Sequence, residues 1–275
     1  MRTFALTLLL LGACAGEPAA RVASAEAKPR PAPVPAPEPT HVPSAAPPVA
    51  PPPELPSDVK VGVPLSLDVE GSRPLRVVHA PARQTRALIY LHGVCGDVTA
   101  VDSWIGAATR HGTLIELLGD TRCKGSTRYR WTSSTAVLMQ RIDAALSRVR
   151  DARGGLLDVT QVVLIGYSQG AIRAEALAKH YPERFPWVLL GGVPVTPNAD
   201  SFTSTRSVAL LGGQREGLGH LVAGREALEK AGRRVKSFVL PSAGHGEFGP
   251  DADRVLGEAF DWLLAQCQAD ATCTG

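Results

Sequence analysis

Excess charge of either sign is scarce in this chain. Its 275 residues carry 29 Lys and Arg against 26 Asp and Glu, a net of +3, with no Lys/Arg-rich run. That balance lacks the basic stripe a nucleic-acid surface needs, so no nucleic-acid partner is expected. The apolar run that opens the chain, Phe4 to Leu11, is far shorter than the ~20 residues of a spanning helix. Cysteine is limited to five residues, and zinc-binding spacing is absent, so no metal is expected. Proline is sparse over most of the chain: 14 of 23 lie between Pro18 and Pro56, leaving nine for everything after. With 44% apolar and 20% charged residues the composition is otherwise that of a globular protein. A domain of about 215 residues buries roughly 70% of its unfolded surface and needs no staple to fold.

The uneven proline divides the chain into residues 1–13, 14–56 and 57–275. Arg2, the apolar run and the small pair Gly12-Ala13 read as a secretory signal. Leu11-Gly12-Ala13-Cys14 resembles a bacterial lipobox, in which Cys14 is acylated and becomes the mature N-terminus. Several acyl chains together hold a membrane firmly, so the expected partner is a membrane, through a lipid anchor at Cys14. Ala15, rather than Asp, follows the cysteine, which by enteric sorting rules favours the outer membrane of a bacterial envelope. The Pro/Ala-rich stretch from Ala15 to Pro56 cannot supply the N–H groups that helices and ladders need. It is expected as a disordered, extended polyproline II spacer, reaching on the order of 130 Å. Docking of a PxxP-reading partner on this stretch is the alternative.

Beyond Pro56, strands and helices alternate. Val59–Val69, Leu75–His79, Ala87–Leu91, Thr113–Leu118, Gln161–Ile165, Trp187–Leu190, Ser207–Leu211 and Val235–Leu240 are predicted strands. Continuous apolar runs such as Ala87–Leu91 suit strands buried on both faces. Ser134–Val149, Gln169–His180, Gly219–Ala231 and Asp251–Gln266 are predicted helices. The alternation predicts an α/β fold with a mostly parallel sheet and helices on both faces.

Gly166-Tyr167-Ser168-Gln169-Gly170 fits G-x-S-x-G between a predicted strand and a predicted helix. In that setting the serine sits on a sharp turn with its hydroxyl exposed at a helix N-terminus, where developing negative charge is favoured. A serine needs a base, and the chain order Ser…acid…His places it downstream. His245, in the small-residue loop Ser242-Ala243-Gly244-His245-Gly246, is the candidate; His220 opens a helix and suits the role less. Glu216, the first carboxylate after strand Ser207–Leu211, is the candidate acid, and Asp200 is its competitor. The acid would hold the imidazole tautomer. His92-Gly93-Val94-Cys95-Gly96-Asp97 follows the Ala87–Leu91 strand, and Val94 and Gln169 are expected to donate their backbone N–H groups to an oxyanion. The ring of His92 reads as a structural histidine beneath the site.

Leu91-His92-Gly93, Gly166-Tyr167-Ser168-Gln169-Gly170 and Gly244-His245 together resemble the α/β-hydrolase fold, and within it the phospholipase/carboxylesterase branch that includes acyl-protein thioesterases and dienelactone hydrolases. The resemblance spans about Ala87 to Leu264. It implies hydrolysis of a small-molecule carboxylic ester or thioester through an acyl-enzyme, with no cofactor. Two departures stand out: Glu216 occupies the acid loop where that branch usually has Asp, and Cys95 adds a residue to a loop that usually reads His-Gly-x-Gly-Asp. A serine amidase or peptidase, and a catalytically degraded scaffold of the same fold, are the alternative functions. The gap between strands Trp187–Leu190 and Ser207–Leu211 holds no long lid, which argues against a true lipase.

After export, Cys95, Cys123, Cys267 and Cys273 would meet an oxidising compartment, where four cysteines allow three pairings. Cys95–Cys123 and Cys267–Cys273 are the favoured pair. The segment Thr121–Trp131, with Arg122, Lys124, Arg128 and Arg130, reads as a solvated loop with one buried tryptophan; recognition of an acidic substrate group or stacking on a ring is the alternative.

Overall fold

A computed structural model describes residues 54–96 and 98–265. The signal segment, Cys14, the Pro/Ala-rich stretch and the pair Cys267–Cys273 lie outside the described residues. Among the described residues ten strands and five α-helices follow in chain order: β1 Pro64–Leu67, β2 Leu75–Val78, β3 Thr85–Leu91, α1 Ile105–His111, β4 Thr113–Leu117, β5 Thr121–Arg122, β6 Tyr129–Arg130, α2 Thr135–Ala152, β7 Leu157–Tyr167, α3 Gln169–His180, β8 Trp187–Gly191, β9 Ser207–Gly213, α4 Gly219–Lys230, β10 Val235–Leu240 and α5 Ala252–Leu264.

Eight strands form one sheet in the order β1-β2-β4-β3-β7-β8-β9-β10. From β4 to β10 all neighbours are parallel, while β2 runs antiparallel to both β4 and β1 at one edge. The reason is visible in the strands themselves. β3, β8 and β9 are buried at almost every position, so apolar side chains point to both faces. Ile89, Leu91, Leu164 and Leu190 pack on one side with Leu138, Ile142, Leu177 and Leu228 of α2, α3 and α4. Leu88, Val163, Leu189 and Ala209 pack on the other with Ala107, Val255, Phe260 and Leu263 of α1 and α5. These are the two apolar layers a doubly covered parallel sheet requires.

β1 is shorter than the expected Val59–Val69 because Pro64, which has no N–H, opens it at the sheet's edge. β7 extends past its apolar run in both directions, from Leu157 to Tyr167. α1 has no counterpart among the predicted helices. It is seven residues long and its N-terminus is held from elsewhere: Asp253 at the start of α5 accepts the Ala107 N–H at 2.5 Å. The segment Thr121–Arg130 forms the small β5–β6 hairpin with Arg122, Lys124, Arg128 and Arg130 exposed, and Trp131 beyond it is 1% exposed. Cys123 of this hairpin is disulfide-bonded to Cys95, with their Cα atoms 6.0 Å apart. Among the described residues no helix is long and apolar enough to cross a membrane.

The parallel register decides where chemistry can gather. Leu91 pairs with Gly166, Tyr167 with Gly191, Gly191 with Leu211, and Gly213 with Leu240. The C-terminal ends of β3, β7, β9 and β10 therefore lie along one edge, and the loops that leave them share that edge.

Candidate active site

Ser168 sits between β7 and α3 with φ 53° and ψ −117°, a backbone conformation costly for a residue with a Cβ. Two glycines make the bend possible. A Cβ on Gly170 would lie 1.9 Å from the Leu91 carbonyl oxygen, and one on Gly166 would lie 2.3 Å from the Gly170 oxygen. The elbow is pinned by the Ser168 N–H, which donates to the Gly191 carbonyl at 2.8 Å.

His245 reaches this serine from the loop after β10. Its Nε2 is 3.0 Å from Ser168 Oγ and its Nδ1 is 2.6 Å from Glu216 Oε2. A carboxylate only accepts, so the imidazole proton belongs on Nδ1, and Nε2 is left to accept from the serine hydroxyl. Glu216 is itself held: its Oε1 accepts the Gly213 N–H at 2.5 Å, and its side chain is 9% exposed. Asp200 is exposed on the 3-10 turn Ala199–Phe202, where its own N–H is capped by Asn198, and no hydrogen bond joins it to His245. His220 is exposed at the start of α4, where its Nδ1 meets Thr196 Oγ1 at 3.0 Å.

The acid loop and the histidine loop are laced together. Gln214 N–H donates to Leu240 O at 2.9 Å, Arg215 N–H to Ala243 O at 2.8 Å, and Ser242 N–H to Gln214 Oε1 at 3.0 Å. Glu247 closes the other side, accepting from Gly244 N–H at 2.8 Å and pairing with Arg215. Tyr167 holds the same loop from below. Its hydroxyl accepts the Gly246 N–H at 2.7 Å, and its ring lies 5.4 Å from that of His245. Burial pushes the Tyr167 phenol up to about 12, so it stays un-ionised at neutral pH. Only its place in the G-x-S-x-G motif pointed to this tyrosine, and that motif says nothing about its hydroxyl.

On the other flank, His92 acts as a fastener. Its Nδ1 donates to Gly93 O at 2.6 Å and its Nε2 accepts the Gly119 N–H at 2.9 Å. Burial lowers its pKa and keeps the ring neutral, as this donor–acceptor pattern requires. Trp131 packs 4.9 Å from the ring and donates its indole N–H to His92 O at 2.7 Å. The Trp131 backbone is in turn clasped by the Gln169 side-chain amide, through bonds of 3.0 and 3.1 Å. The extra residue at Cys95 is absorbed by a tight turn, with Gly96 N–H bonded to Gly93 O at 3.0 Å and Cys95 at φ 47°. The Cys95–Cys123 bond then ties this turn to the β5–β6 hairpin. Among the described residues the N–H groups of Val94 and Gln169 donate to no acceptor; that of Gln169 belongs to the first turn of α3, where helical donors have no partner. No group of three or more His, Cys, Asp or Glu among the described residues is arranged to hold a metal ion.

No protein-family model matches the sequence, and no curated protein matches it. Solved structures do match. TT1662 from Thermus thermophilus is 20% identical with a TM-score of 0.54, over 74% of this chain and 99% of its own. XC6422 from Xanthomonas campestris, described as an α/β serine hydrolase without lid, is 19% identical with a TM-score of 0.51, over 74% and 96%. Carboxylesterase CesB from Bacillus subtilis is 11% identical with a TM-score of 0.53, over 74% and 91%. With its mostly parallel eight-stranded sheet, helices on both faces and a serine at the bend after β7, the chain has the α/β-hydrolase fold.

Proposed function

We propose that this chain is a serine hydrolase of carboxylic esters or thioesters, working through an acyl-enzyme and tethered to a bacterial envelope membrane by acylated Cys14. The observation that carries the catalytic part is the line Ser168 Oγ, His245 Nε2, His245 Nδ1, Glu216 Oε2, joined at 3.0 and 2.6 Å. In this reading Ser168 Oγ attacks the acyl carbon while its proton passes to His245 Nε2. The carbonyl π pair becomes an oxyanion, which the Val94 and Gln169 N–H groups stabilise. Collapse expels the alkoxide or thiolate, which takes the proton from Nε2. Water then repeats the sequence on the acyl carbon, releasing the acid and restoring Ser168. Glu216 keeps the productive tautomer and stabilises the imidazolium.

The structures named above as a carboxylesterase and a lidless serine hydrolase support an ester substrate reached directly from solvent. So does the short connection of residues 192–206, whose one element is the turn Ala199–Phe202, and a His245 side chain that is 51% exposed. An inert scaffold would have no use for the strained Ser168 backbone or for a carboxylate so firmly anchored against an imidazole. The lipid anchor rests on the lipobox and the spacer behind it.

Two measurements test the proposal. A fluorophosphonate probe labels the wild-type chain and fails on Ser168→Ala, with loss of 4-nitrophenyl butyrate hydrolysis in parallel. Labelling that persists in Ser168→Ala refutes the nucleophile. Expressed in a bacterium with radiolabelled palmitate, the chain takes up label and Cys14→Ser does not; equal labelling of both removes the anchor.

A further inference from the structure

The cavity that opens on Ser168 has a volume of about 130 Å³. That is well below the roughly 300–1,000 Å³ of a site for a drug-sized ligand, so it admits only a small part of a substrate. Its walls at Val94, Ala100 and Phe248 are apolar. Most polar side chains on it are already committed: Ser168 and His245 to one another, His92 to Gly93 and Gly119, and the Tyr167 hydroxyl to Gly246.

Tyr90 is the exception. It lines the cavity, the residue is 3% exposed, and no hydrogen bond among the described residues takes its hydroxyl. The ring is fixed edge-on against Trp104, with centroids 5.6 Å apart and an interplanar angle of 76°. Glu116, its cross-strand partner in β4, directs Oε1 to Arg76 at 2.6 Å, and its buried Oε2 forms no hydrogen bond with the phenol. Burial raises the Tyr90 pKa, so the group is a phenol O–H at any working pH. The hydroxyl is not sealed in the interior: it lies on the cavity wall with no partner among the described residues, so it is free to bond a ligand oxygen.

The sheet register places the residue along the strand. Tyr90 pairs with Ile165, three residues before Ser168, which at about 3.3 Å per residue sets its Cα some 10 Å down the strand from the elbow. Val94 and Gln169 lie at the rim with the serine. Tyr90 therefore belongs to the floor, where the far end of an acyl chain would rest, and not to the oxyanion position.

Resting on the serine-hydrolase reading above, we propose that Tyr90 selects the acyl half of the substrate, hydrogen-bonding an oxygen carried on a short chain, so that the preferred substrates are esters or thioesters of short hydroxy or oxo acids. In the free protein a water satisfies the hydroxyl, since the cavity is large enough to hold one. A hydroxyacyl chain replaces that water with its own oxygen. A plain alkyl chain of the same length displaces the water and strands the phenol.

The test compares 4-nitrophenyl butyrate with 4-nitrophenyl 3-hydroxybutyrate, using the full chain and Tyr90→Phe. The wild type prefers the hydroxyacyl ester by roughly ten- to a hundredfold in kcat/KM, the size expected for one buried hydroxyl left without a partner. In Tyr90→Phe the ratio falls to about one, because the hydroxyacyl ester loses its advantage. The ring and its contact with Trp104 survive that change, so the melting temperature holds. Equal turnover of the two esters by the wild type overturns the proposal, whatever the variant does, and so does a preference that survives in Tyr90→Phe. Fluorophosphonate capture of Ser168 with no acyl preference overturns the role of Tyr90 alone. No capture and no turnover of either ester overturns the hydrolase reading and this one with it.

Discussion

Replacing Glu216 by Gln separates the effect of its charge from that of its shape. The carboxylate accepts two donors at once, Gly213 N–H at 2.5 Å and His245 Nδ1–H at 2.6 Å. A glutamine has one oxygen and one NH₂ in the same space, so it cannot serve both. With its oxygen toward His245, the NH₂ faces the Gly213 N–H, donor against donor. With its oxygen toward Gly213, the NH₂ faces Nδ1 and forces the imidazole proton onto Nε2, where Ser168 can no longer deliver its own. The first keeps the tautomer but sets two donors against each other and loses the charge that steadies the imidazolium; the second removes the base. Stabilising the wrong tautomer in a Ser-His-acid triad costs about 10⁴ in kcat. At 1.36 kcal/mol per decade, a loss of 10³–10⁴ corresponds to roughly 4–5.5 kcal/mol of barrier. Glu216→Asp keeps the charge but is one methylene too short to reach both donors, and falls between the wild type and the glutamine variant. Asp200→Asn, exposed and away from His245, leaves kcat unchanged. The assay is kcat for 4-nitrophenyl butyrate near neutral pH, paired with the rate of fluorophosphonate labelling. A glutamine variant that keeps more than about a tenth of wild-type kcat refutes the two-donor argument. A loss confined to Asp200→Asn refutes the assignment of the acid.

Three further perturbations probe the frame around the site. Gly170→Ala drives a Cβ to 1.9 Å from the Leu91 carbonyl oxygen, backbone against backbone, so the variant is expected to lose more than about 4 kcal/mol or fail to accumulate as folded protein; a melting curve like the wild type's contradicts this. Cutting Cys95–Cys123, which closes a span of 28 residues, costs on the order of 3 kcal/mol, read as a drop of several degrees in melting temperature under dithiothreitol that a Cys95→Ser/Cys123→Ser double variant does not show. His79 is 2% exposed with no partner for its Nδ1, and burial followed by the charge of Arg153 lowers its pKa from 6.5 to about 4. Between those values the unfolded chain binds the proton and the folded one does not. Its contribution is therefore complete above pH 6.5 and is lost as the pH falls toward 4. The difference in unfolding free energy between wild type and His79→Gln is expected to shrink over that window, and a flat difference by urea titration refutes the assignment.

Features set by neighbours in sequence are legible in the chain itself. Gly166 to Gly170 reads as an elbow because two glycines and a serine at those positions suit one kind of strand-to-helix bend, and the apolar runs of β3, β8 and β9 follow from burial on both faces. α3 and β10 begin and end where their residue patterns put them. α1 was not legible, because it is too short to show a period and its N-terminus is capped by Asp253, 146 residues away. In the sequence Glu216 is the first carboxylate after its strand and Asp200 its competitor, both of them loop carboxylates. The pairing of β9 with β10 lays the loop of Glu216 against that of His245 and gives this carboxylate two donors. Tyr90 reads as one more apolar position in a buried strand; that its side chain lines a cavity depends on Phe248 and the elbow, which the fold brings beside it. Local bends and buried faces are written in consecutive residues, but hydrogen-bond satisfaction depends on which distant segments the sheet brings together.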